Sequence, residues 1–127
     1  MKTVTKENKV TYIIDEEAKT VKAIIKGTAN DVINTLNKKF PGVFISDELF
    51  ISNSFSATAR CSEKDVFDVE KGKEIARKKA ILKYNKVRTK KFLELLKCVD
   101  NIADSLEELA VFSTQKCDRM ENEISKY

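Results

Sequence analysis

The sequence contains no histidine, which removes the commonest general base and the commonest zinc ligand together. Its three cysteines, Cys61, Cys98 and Cys117, are an odd number with no C-x-x-C spacing. That pattern excludes a fully paired disulfide framework and predicts reduced thiols. Glycine and proline are scarce, and the whole stretch from Lys73 to Tyr127 has neither. Without those breaker residues the stretch predicts helix, in one long piece or as a hairpin broken at Val99–Asn101 or Ser113–Thr114. Long apolar runs are also missing. Nothing approaches the roughly 20 residues a membrane helix needs, and no apolar run opens the chain. The expectation is an unprocessed, soluble protein of the cytoplasm that contacts no membrane.

What is present is charge, unevenly placed. Hydrophobic residues make up 42% of the 127-residue chain and charged residues 35%, enough of the former for one domain with its own core. The net charge is +4. Residues 1–68 carry ten basic and ten acidic side chains, residues 69–91 ten basic against two acidic, and residues 92–127 four basic against eight acidic. The positive field is therefore local, better suited to holding a defined anion than to coating long DNA.

Periodicity predicts an α+β fold, a small antiparallel sheet in the order β-β-α-β-β followed by a long C-terminal helix or helical hairpin. Residues 1–9 read as a polar, flexible end, 10–68 as the sheet-plus-helix half and 69–127 as the helical half. Val10, Tyr12 and Ile14 alternate, as do Val21, Ala23 and Ile25, with a polar hairpin connection between them. Thr28 and Asp31 resemble a capping box, so a helix is expected to start at Ala29, bury Val32, Ile33, Leu36 and Phe40, and stop at Pro41-Gly42. Val43–Ser46 and Leu49–Ile51 are short strand candidates. Phe55, Ala57, Ala59 and Cys61 share one face of the last strand, with Ser54, Ser56, Thr58 and Arg60 on the other. Asp68 stands where an N-cap belongs, and Phe67 before it fixes the entry angle from the core. Gly72 in the first turn costs helix stability, which points to a close backbone approach to the strand or to a ligand. Ile75, Leu82, Phe92 and Leu96 form the expected buried stripe. Farther on, Phe92, Leu96, Val99, Ala103, Leu106 and Ala110 step by four and three, widened by Leu95, Ile102 and Leu109, a seam that calls for a partner helix.

The basic band is the main functional signal. Arg77, Lys78, Lys79, Lys83, Lys86, Arg88, Lys90 and Lys91 sit close together with no acid among them, and they read as lacking acidic partners one helical turn away. Arg77, Tyr84, Arg88 and Lys91 line one side of a helix, with Asn85 interleaved. Arginines give bidentate phosphate contacts and an aromatic ring stacks on a base. The bland reading is a solvated helix face. Arg60 either completes an anion site with the following helix or pairs with Asp65 or Glu63. Asp65, Asp68 and Glu70 suit turn and capping roles better than a metal site, and Cys61, with no histidine beside it, reads as a small buried strand residue rather than a nucleophile. No catalytic, metal or cofactor signature is present.

From Ala59 to Ala80 the residues Ala59, Cys61, Asp65, Phe67, Asp68, Gly72, Ala76, Lys79 and Ala80 form the pattern A-x-C-x-x-x-D-x-F-D-x-x-x-G-x-x-x-A-x-x-K-A. In that pattern the chain resembles small proteins of phages and prophages of Gram-positive bacteria, and among them the Thoeris anti-defence sponge family. The resemblance implies a non-enzymatic protein of the host bacterial cytoplasm that sequesters cyclic ADP-ribose isomers, in dimers or assemblies of dimers. Combined with the residue reading, the candidate ligand-binding set is Arg60, Arg77, Arg88 for phosphates and Tyr84, Asn85, Phe92 for a base. The alternatives are a nucleic-acid-binding accessory protein and a helical inhibitor of a host protein.

Overall fold

A computed structural model of the chain describes residues 2–44 and 47–127. The elements run β1 (Lys2–Glu7), β2 (Val10–Asp15), β3 (Thr20–Lys26), α1 (Asp31–Lys39), a one-turn 3-10 helix (Asp47–Leu49), β4 (Ser54–Arg60) and α2 (Val69–Ser125). The strands form one antiparallel sheet in the order β1-β2-β3-β4. A four-stranded antiparallel sheet followed by a long C-terminal helix is the α+β class that periodicity predicts. The chain divides into two compact units, Met1–Lys91 and Phe92–Tyr127.

The strand inventory differs in several places. Residues 2–7, expected to be flexible, form β1, and Leu49 lies in the 3-10 turn rather than a strand. Pro41–Val43 form a turn, and Ile45 and Ser46 of the other strand candidate lie outside the described residues. β1 hides from pattern reading because it is an edge strand whose core-facing residues are polar. Its register sets Thr3, Thr5 and Glu7 beside Ile14, Tyr12 and Val10, leaving Val4 to solvent. Asn8 and Lys9, both at positive φ, make the two-residue mirror-image turn whose twist suits a hairpin.

The core face of the sheet is a grid set by register: Ile14, Val21 and Ala59 in one row, Tyr12, Ala23 and Ala57 in the next, Val10, Ile25 and Phe55 in the third. Ala76 and Ala80 of α2 close over it. Gly72 approaches so near that a Cβ there would stand 2.7 Å from Val21 Cγ2, which accounts for the glycine. Gly72, Ala76 and Ala80 are four residues apart, one helical face of minimal bulk against a strand of alanines. The expected stripe through Ile75 and Leu82 is corrected, since both are exposed. A sheet of Ala57 and Ala59 leaves room for helix backbone, not for large side chains.

Helix ends follow local chemistry. Asp68 Oδ1 accepts the Lys71 N–H at 3.2 Å, the cap expected for α2. α1 starts at Asp31, not Ala29, and Thr28 does not cap it, because its hydroxyl donates to Ser52 O at 2.6 Å. Val32 and Leu36 are buried, whereas Phe40 lies beyond the helix and is exposed. α2 carries no break at either proposed point. No described helix is long and apolar enough to cross a membrane.

Candidate functional site

The basic band is largely engaged in holding the first unit together. Lys83 Nζ donates to Ser56 O at 2.8 Å and Lys79 Nζ to Thr58 O at 3.4 Å, so two cations cap carbonyls on the outer edge of β4. Charged side chains on an exposed strand edge disfavour pairing with a further strand. Lys78 pairs with Glu74 at 2.9 Å, one turn away, which corrects the reading of a band without acidic partners. The same contact, with Arg77 nearby, holds the Glu74 carboxyl below its usual range. Arg88 reaches α1, with Nε 3.4 Å from Asp31 Oδ2 and a hydrogen bond donated to Thr35 Oγ1 at 3.3 Å. Just before the band, Lys73 is buried, donates to Glu7 Oε1 at 2.8 Å and lies over the Tyr12 ring. The Glu7 hydrogen bond raises the Lys73 pKa.

The six sequence-derived candidates are therefore dispersed. Arg60 ends β4 at one side of the sheet. Arg77 lines concavities with Glu7, Asn8 and Tyr12 at the other side, where Glu70 and Glu74 also face and disfavour an anion. Tyr84 meets the Phe55 ring edge-on at 5.6 Å and serves the core. Asn85 is exposed, and Phe92 opens the second unit, where it is half-buried.

A further concave site lies where β4 passes into α2. A concavity of about 510 Å³ is lined by Arg60, Cys61, Asp65, Val66, Phe67, Asp68, Lys71, Gly72 and Ile75, among others. Its volume falls within the range of small-molecule sites. Its loop is pinned at several points. Lys19 Nζ donates to Asp65 O at 3.2 Å, the Cys61 N–H to Lys19 O at 2.9 Å, and Cys61 Sγ lies 3.7 Å from Val66 O. Cys61, one residue past β4 and half-buried, thus holds the turn rather than packing inside the strand as expected. Arg60 and Lys71 are the cations that line the opening and Asp65 and the capping Asp68 its two carboxylates, so its charges balance where four carboxylates outnumber three cations at Arg77, and no ion pair joins Arg60 or Lys71 to Asp65 or Glu63 among the described residues. Val66, 93% exposed, and Ile75 supply an apolar wall beside Phe67. The arrangement can hold an anion on one side and a flat apolar group on the other.

Arg60 was legible as part of this site from its strand position. Lys71, Val66 and Ile75 were not, although they lie within the Ala59–Ala80 segment. Among the described residues no group of three or more Cys, Asp or Glu side chains is gathered to hold a metal ion. No protein-family model, curated protein or solved structure matches the chain.

Proposed function

We propose that the protein binds and sequesters a small cyclic nucleotide-like signal of the cyclic ADP-ribose isomer type, without cleaving it, as a phage or prophage anti-defence protein acting in the host bacterial cytoplasm. The observation that carries this reading is the coincidence of two features. The Ala59–Ala80 pattern on which the family resemblance rests supplies the lining of the Arg60–Lys71 concavity through Ala59, Cys61, Asp65, Phe67, Asp68 and Gly72. In this reading Arg60 clamps the diphosphate with its planar fork and Lys71 adds a point charge. Phe67, Val66 and Ile75 face the base. A sponge needs tight binding and slow release of an intact ligand, not transition-state stabilisation. Its copies associate through the apolar seam of the second unit. Arg77 and Arg88, with acidic neighbours at each, are left out of the ligand set.

Calorimetry and thermal shift against cyclic ADP-ribose isomers and cyclic oligonucleotides test it. A ligand should raise the melting temperature with saturation, lose affinity in Arg60→Ala and Lys71→Ala, and return chemically unchanged after denaturation. Absence of any shift, or recovery of a cleaved product, overturns the proposal.

A second reading, nucleic-acid binding, has one observation in its favour. The sheet face turned away from Ala76 and Ala80 carries Lys2, Lys6, Lys22 and Lys26 against Asp15 alone. A steep fall of affinity with salt separates it from a pocketed ligand.

A further inference from the structure

The turn between β2 and β3 holds a residue in a costly conformation. Lys19 stands at φ 53°, in the left-handed region that glycine and asparagine enter cheaply and other residues seldom do. Local bonding shapes the turn, because Asp15 Oδ1 accepts the Ala18 N–H at 3.1 Å. Nothing in that bond calls for lysine at the next position. A strained backbone persists where its surroundings over-determine it, which directs attention to what the Lys19 side chain holds.

We propose that Lys19 is the positioning residue of the Arg60–Lys71 concavity, fastening both ends of the loop that forms its rim. The Lys19 carbonyl oxygen accepts the Cys61 N–H at 2.9 Å, where the chain leaves β4. The ammonium of the same residue reaches the far side of the loop, donating to Asp65 O at 3.2 Å and to Glu63 O at 3.5 Å. An ammonium carries three donors, so it serves both carbonyls at once. Between these grips the loop closes on itself. The Asp65 N–H donates to Ser62 O at 3.0 Å, and Cys61 Sγ lies 3.4 Å from Ser62 O and 3.7 Å from Val66 O. Lys19 then moors that closed loop to the sheet. Cys61, Ser62, Asp65 and Val66 all line the concavity, and Arg60 directly precedes them. A rim ordered before a ligand arrives spares the ligand the entropy of ordering it, which adds to affinity. The proposal rests on the binding reading for what fills the concavity, whereas the strap itself is read without a ligand.

Alkylation of Cys61 reports the loop, because its half-buried sulfur sits against the Ser62 and Val66 carbonyls. In a Cys98→Ser, Cys117→Ser background of the full chain, Lys19→Gly accepts the turn's backbone conformation and removes the ammonium. Uncharged iodoacetamide should label Cys61 several-fold faster in this variant, while the urea midpoint holds or rises. Loss of a cation lowers the thiolate fraction, so that bias runs against the expected increase. Lys19→Arg keeps donors for two carbonyls and should label at the wild-type rate. Lys19→Asn, whose backbone also accepts the left-handed region, should label like Lys19→Gly and guards against a turn loosened by glycine. Equal rates in wild type and in both turn-compatible variants overturn the strap, as does faster labelling matched by a fall in the urea midpoint. Titration with cyclic ADP-ribose should give a several-fold higher dissociation constant for Lys19→Gly, and equal constants overturn the positioning role. A wild type that binds no nucleotide sinks the binding reading alone, because the labelling rates are measured with no ligand present.

Discussion

Gly72 of α2 rests on Val21 of β3 with no room for a side-chain carbon, since a Cβ would lie 2.7 Å from a Val21 methyl that is itself fully buried. Gly72→Ala gains about 1 kcal/mol of helix propensity but forces an overlap of the kind that costs about 1–3 kcal/mol. The expected outcome is net destabilisation by urea unfolding. Val21→Ala in the same chain should recover part of it, since the two residues share one contact and their effects are non-additive.

Lys73 and Glu7 join α2 to the edge strand β1, with the lysine side chain 11% exposed and the glutamate half-exposed. The Glu7 hydrogen bond raises Lys73 above its ordinary value of 10.5. A raised lysine contributes stability that is complete below its unfolded pKa and is lost as pH climbs through the folded one. Wild type should therefore hold its urea midpoint to alkaline pH. Glu7→Gln should lower the unfolding free energy by about 1 kcal/mol at neutral pH and begin its alkaline loss at lower pH. Parallel alkaline limbs in the two proteins would refute this account.

Lys79 and Lys83 occupy the outer carbonyls of β4. Replacing both with serine should change unfolding free energy little, because exposed charge contacts are weak. Static light scattering on concentrated protein should rise, because an uncapped strand edge recruits other strands. Unchanged solubility would mean the lysines do not guard the edge.

Leu106→Asp introduces a carboxylate into the exposed seam. The proposed self-association should give way to monomer by multi-angle light scattering, while the sheet unit stays folded by near-ultraviolet circular dichroism. Rising salt should tighten wild-type association, because residues 92–127 carry eight acidic against four basic side chains and two copies repel.

The strands β2, β3 and β4 and the cap at Asp68 were readable because each is written in local pattern: alternation of period two, or a carboxylate ahead of a helix. β1 was not, because Thr3, Thr5 and Glu7 face the core where a pattern search expects apolar residues. The buried face of α2 was missed for the same kind of reason. Hydrophobic periodicity weights Ile75 and Leu82, while the sheet takes Gly72, Ala76 and Ala80, whose signal is smallness rather than hydropathy. At the candidate site Arg60 was visible as a strand-end cation. Its separation from Arg77 and Arg88 follows from the width of the sheet and from Asp31 of α1, neither of which spacing along one helix conveys.

The meeting of alanines and glycine between β4 and α2 has an entropic side. Glycine and alanine surrender no rotamers when buried, so ordering this contact costs backbone freedom alone. Such a joint has no spare torsions through which to absorb an intruding methyl group. At these positions tolerance should be graded by volume, with serine accepted before valine despite its polarity.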